Sequence, residues 1–186
     1  TTKKQACTTV KDVKTDWIIY GWQTDGVLNR KEYATLQVID SLLGSGMSSR
    51  LFKNLRDRDG LAYQLGSQFS PHIVKGSFIT YIGTNPENLD YAQKRMLEEV
   101  FRLKVEFVGS KELQEAKDKL LGHYIIGQET NLDKATTIGW FETSGRGYKF
   151  DDQYAQLINS VTESDIIEVA NKVFTNNYVL SVVKPQ

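Results

Sequence analysis

Between Leu42 and Phe69 the hydrophobic pattern changes period twice, so any fold for this chain must end one helix, fit a second and begin a strand inside that stretch. The run reads Leu-Leu-Gly-Ser-Gly-Met-Ser-Ser-Arg-Leu-Phe-Lys-Asn-Leu-Arg-Asp-Arg-Asp-Gly-Leu-Ala-Tyr-Gln-Leu-Gly-Ser-Gln-Phe. Gly44 and Gly46 break the preceding apolar repeat, Ser48 or Ser49 can cap the next helix, and Gly60 can end it in a left-handed turn. Leu51, Phe52 and Leu55 have core-facing helical spacing, which leaves Arg56 at the edge of the buried face. From Leu61, alternation predicts Leu61, Tyr63, Leu65 and Phe69 on one side of a strand.

Arg56 and Tyr63 flank the Gly60 break, and two readings of them are open. In the first, Tyr63 is a core aromatic and Arg56 is a helix-end cation that complements the helix dipole. In the second, the pair meets across the turn and offers a guanidinium fork and a phenol to the carbonyl oxygens of an extended peptide.

Around this block the order of elements predicts an α+β fold, a single largely antiparallel sheet backed by helices. Residues 1–15 are polar and without period and read as a linker or extended lead-in, with the domain proper at 16–186. Asp16 to Trp22 is a continuous apolar run, the pattern of a strand covered on both faces. Asn29 with Glu32 signals a helix start, and Tyr33, Leu36, Ile39 and Leu43 carry that helix to Gly44. Leu61–Pro71 and Ser77–Gly83 alternate on either side of Lys75-Gly76 and predict a hairpin. Helices follow at Leu89–Leu103, Ser110–Gln128, Leu132–Thr143 and Asp151–Asn159. Thr162 with Asp165 caps the last one, and Tyr178–Val183 forms a final strand.

Composition narrows the chemistry. Twenty-three basic residues balance 23 acidic ones, so no global field draws the chain to nucleic acid or an anionic membrane. Asp57 and Asp59 interleave with Arg50, Lys53, Arg56 and Arg58, the pattern of a solvated helix face. Cys7 is the one cysteine, so neither an internal disulfide nor a thiolate metal cluster can form. No apolar run reaches the length of a membrane span, and the compartment stays open among cytoplasm, periplasm and mitochondrion. The first residue is not methionine, which suggests that the chain begins inside a longer precursor.

A hydrolytic zinc site needs about three protein ligands and an open position. The two histidines, His72 and His123, have no histidine partner at helical spacing, so the expectation is no metal and no cofactor held by this chain. Gly44-Ser45-Gly46 lacks the lysine and hydroxyl residue of a phosphate loop, and Ser48 and Ser49 lack a nearby histidine base.

Gly-Ser-Gly-Met-Ser-Ser-Arg-Leu-Phe-Lys-Asn-Leu-Arg, followed by Gly-Leu-Ala-Tyr, resembles the signature of the C-terminal, non-zinc domain of the pitrilysin/insulinase zinc metallopeptidases, which include mitochondrial processing peptidase. Weaker support comes from the strand around Trp17–Trp22, the helix containing Glu-Leu-Gln-Glu-Ala-Lys, and the closing Val-Thr-Glu-Ser-Asp-Ile segment. The resemblance implies the same α+β architecture. It implies that Arg56 and Tyr63 hold substrate opposite a zinc site, and that Gly44 and Gly46 mark a shortened glycine-rich substrate loop. It also implies that the zinc and its His-x-x-Glu-His motif, absent here, belong to an N-terminal half or a separate catalytic subunit. The isolated chain is then inactive, and a bare interface makes homo-oligomers possible. The alternative is a structural or assembly subunit resembling the core proteins of the respiratory bc1 complex. An unrelated α+β binding module remains if the central block is a chance match.

Overall fold

In the computed structural model, which describes residues 3–186, five strands form one mixed, mostly antiparallel sheet in the order β1-β5-β2-β4-β3. The strands are β1 (Gln5–Lys11), β2 (Asp16–Asp25), β3 (Gln64–Ser70), β4 (Lys75–Thr84) and β5 (Val179–Pro185). The β3–β4 hairpin, β2–β4 and β2–β5 pair antiparallel, whereas β1 runs parallel to β5. Six α-helices accompany the sheet: α1 (Arg30–Leu43), α2 (Leu89–Arg102), α3 (Ser110–Ile126), α4 (Asn131–Thr143), α5 (Phe150–Asn159) and α6 (Glu163–Val173). A π-helix (Phe52–Arg58) and a single 3-10 turn (Pro86–Asn88) complete the order. The α+β expectation and nearly every predicted element agree with this architecture.

The core forms where the helices meet one face of the sheet. Ile18, Tyr20 and Trp22 of β2 and Phe78 and Ile82 of β4 are buried there with Leu36 and Ile39 of α1. Phe174, just past α6, meets Trp22 and Phe78 edge-on at 5.3 and 5.1 Å between ring centres. Each large apolar side chain removed from water in this way contributes about 1.5–3 kcal/mol before entropy is counted.

Local signals explain the boundaries. The Asn29 side chain accepts the Glu32 N–H at the start of α1. Thr162 and Asp165 form a reciprocal capping box at α6. Gly60 turns at a φ of 65°, as a left-handed helix stop requires.

Two expectations differ from the structure. Residues 5–11 are extended, but they are hydrogen-bonded into the sheet as edge strand β1 and not free as a linker would be. Every β1 side chain is exposed, so no burial pattern marks it in the sequence. Strand β2 is covered on its helix side alone: Ile19 is exposed and Trp17 is half-buried, lying over Gly83 on the opposite face.

Candidate functional site

The segment from Gly44 to Tyr63 is held by three separate devices. Lys119 of α3 donates to the carbonyls of Ser41 and Ser45 at 2.6 and 2.7 Å and to Ser48 Oγ at 3.3 Å, which ties the loop after α1 to α3. Arg50 forms a two-point bond with Glu112, at 2.8 and 2.7 Å. The π-helix is anchored on α2 through Glu99, which is fully buried and accepts from Asn54 at 3.0 Å, from Arg102 and from Arg95. Arg95 also reaches Asp59 at 2.9 Å. Arg58 first and Arg95 second hold the Asp59 carboxyl below the usual carboxylate range.

The wide turn shows in the backbone. The Asp59 N–H bonds to the Asn54 carbonyl at 3.1 Å, a five-residue reach, and the Leu61 N–H closes onto Leu55 at 2.8 Å. Leu51 and Leu55 are buried beneath it, as their spacing predicts, while Phe52 is half-buried.

Arg56 lies on the outer side of this turn, exposed, with its guanidinium 4.9 Å from the Phe52 ring centre. Among the described residues it donates to no side chain or carbonyl. Tyr63 is 63% exposed, so it is not a core aromatic. It keeps the phase of Leu65 and Phe69 but precedes the first residue of β3, where its N–H meets the Gly83 carbonyl at 3.1 Å and its ring turns to solvent. Its hydroxyl donates to Asn85 Oδ1 at 3.0 Å. Arg56 and Tyr63 thus flank the same turn with no hydrogen bond or cation–ring contact between them, and no sequence signal marks Asn85 as the tyrosine's partner.

The two loop glycines differ from each other. Gly44 is buried, with the Ser67 backbone nitrogen and side chain where a Cβ would stand. Gly46 is exposed at a φ of 73° with open space around it. Met47 and Ser48 beside it are also exposed.

The donors present do not suit a zinc ion. Among the described residues no three His, Cys, Asp or Glu side chains converge on a point where a metal would sit. His72 is exposed in the β3–β4 turn, and His123 is exposed on α3. No helix of the described residues is long and apolar enough to cross a membrane.

Residues 1–120 match the family model described as the peptidase M16 inactive domain. An uncharacterized zinc protease of Rickettsia bellii is 28% identical over 175 residues, which make up 94% of this chain and 42% of that protein. A protease from Helicobacter pylori superimposes with a TM-score of 0.89 at 23% identity, covering 98% of this chain and 45% of the other. A chain of complex III2 from Candida albicans has the same fold, with a TM-score of 0.81 at 12% identity over 97% of this chain and 45% of that one. The chain therefore spans less than half the length of these relatives.

Proposed function

The chain belongs to the family of peptidase M16 inactive domains, and on that premise we propose that it is the non-zinc half of a zinc peptidase, closing a chamber over a metal-bearing half and holding extended peptide against it. The metal-bearing half is either joined to this one in a longer polypeptide or a separate catalytic subunit.

The observation that carries this reading is the state of two side chains. Tyr63 stands in solvent with its hydroxyl on a neutral amide oxygen, and Arg56 presents five N–H donors with no acceptor on them among the described residues. Exchanging the Asn85 oxygen for a substrate carbonyl costs little, since a neutral exposed hydrogen bond is worth only about 0.5–1.5 kcal/mol net. Strand β3 is the last strand of the sheet; the end of α1 covers it at Ser67 and Phe69, so a peptide would add to its Gln64 end, next to Tyr63. The loop of Gly44 and Gly46 packs beside Gly66 and Ser67 of that strand, where it would meet the same peptide.

Zinc supplies the activated water in this chemistry, and this chain contributes no ligand to it. Its own residues orient the carbonyl and exclude solvent. Reconstitution with a metal-bearing half and measurement of peptide hydrolysis tests the role: Arg56→Ala and Tyr63→Phe should each lower turnover while leaving the fold intact.

The structural-subunit reading draws on the fold shared with complex III2. It gives no reason for a solvent-facing phenol and a guanidinium without an acceptor among the described residues at the start of the sheet's last strand, and it predicts wild-type behaviour from both variants.

A further inference from the structure

Away from Arg56 and Tyr63, helices α1, α3, α4 and α5 enclose an open pocket of about 470 Å³ walled chiefly by Tyr33, Tyr124, Tyr154, Trp140 and Phe141. Its size suits one large side chain and an adjoining peptide group. The Tyr124 and Tyr154 rings stack at 3.9 Å. The Tyr154 ring is buried, with the residue 3% exposed; among the described residues its hydroxyl makes no hydrogen bond, and its oxygen stays open to the pocket. The Tyr33 ring is similarly buried; its hydroxyl accepts from Gln37 Nε2 at 3.1 Å and has no acceptor of its own among the described residues. Two O–H donors of pocket-lining tyrosines thus have no acceptor among the described residues and are free to bond to water or to a ligand. The Tyr124 hydroxyl already donates to Asp151, and burial raises the Tyr154 phenol, which keeps it protonated as a donor.

Two fixed charges flank the pocket: the Asp151 carboxylate, which accepts from the Tyr124 hydroxyl, and the Arg146 cation on the Tyr33 and Trp140 side. The Arg146 guanidinium lies 3.5 Å from the Tyr33 ring centre and 5.1 Å from that of Trp140, behind two walls of the pocket. Its Nε and Nη2 donate to the Val27 carbonyl, and its buried Nη1 has no partner. Beside that charge a basic side chain is disfavoured, and a neutral apolar group carrying an oxygen acceptor is favoured.

The geometry points to a second peptide-binding site here, one that takes an aromatic or large aliphatic residue into the pocket with its carbonyl oxygen accepting from the Tyr154 hydroxyl. The choice of a peptide as ligand rests on the proposed function; the residues are independent of it. Titration of the chain with N-acetylphenylalaninamide, followed through the Trp140 indole N–H resonance, tests the site by binding and not by hydrolysis, so it stands or falls apart from Arg56 and Tyr63. A saturable shift is expected. N-acetylargininamide should bind at least about tenfold more weakly, given the neighbouring cation. Tyr154→Phe, which removes a hydroxyl with no partner among the described residues, should weaken binding on the order of fivefold. Thr137→Phe on the pocket rim should abolish it while the fold stays intact. No saturable shift with the wild-type chain, or equal binding by wild type and both variants, would overturn the proposal.

Discussion

Gly44 stands so close to Ser67 that no side-chain carbon fits between the end of α1 and strand β3. Gly44→Ala should therefore cost about 1–3 kcal/mol through overpacking, or more if the strand has to shift. Gly46→Ala meets only its left-handed backbone and should cost about 1–2 kcal/mol. Urea midpoints of the two variants give the comparison. A milder effect at Gly44 than at Gly46 would mean that the loop is not packed on β3.

Arg146 is predicted to be a structural cation as well as a pocket wall. Its fork holds the Val27 carbonyl at 3.1 and 2.9 Å while its plane rests on Tyr33. Arg146→Lys keeps the charge but loses the fork and the stacking, so a loss of about 2–4 kcal/mol is expected. Chemical denaturation measures it, and wild-type stability in the lysine variant would contradict the role.

Asp25 gives the chain a predictable acid response. Hydrogen bonds from Lys172, then Lys75, then Asn29 hold its carboxyl well below the usual carboxylate range. A carboxyl whose folded pKa lies below its unfolded one contributes stability above the unfolded value and loses it as pH falls through the folded one. The stability should then decline as pH is lowered through about 4 and below. The size is modest because the group is partly solvated. Lys172→Met should flatten this decline in urea midpoints taken at several pH values. An unchanged slope would rule out the contact as its source.

What the sequence disclosed and what it did not follow from burial. Helix ends are fixed by local chemistry, so Asn29, Gly60 and the Thr162/Asp165 pair were readable directly. The hairpin was readable because Leu65 and Phe69 pack on the core while Gln64 and Gln68 are exposed. Strand β1 was hidden because it is exposed throughout, and its pairing with β5 is a contact of distant segments. Alternation placed Tyr63 in phase with the core, but phase says nothing of whether anything lies above the residue. The π-turn and the Asn85 contact depend on α2 and the 3-10 turn, far along the chain, and leave no mark near Arg56. The pocket tyrosines sit at ordinary helical spacing, so nothing in the sequence marks them as one group.

Arg56 and Tyr63 should act as a unit in holding substrate. If both orient the same carbonyl, the double variant Arg56→Ala/Tyr63→Phe should lose less activity than the two single losses multiplied together. Turnover of the reconstituted two-half enzyme with all three variants measures this. Strictly multiplicative losses would mean that the two side chains act on separate parts of the peptide.

The most direct test of the account is the Tyr63→Phe chain, reconstituted with a zinc-bearing half and measured for both turnover and melting temperature. The change deletes one hydroxyl from an exposed ring together with its bond to Asn85, so the melting temperature should fall by no more than about a few degrees. A donor to a carbonyl that gains charge in the transition state is worth roughly 3 kcal/mol, so turnover should fall on the order of a hundredfold. Wild-type turnover in this variant, or a loss that merely follows a lowered melting temperature, would contradict a substrate-holding role.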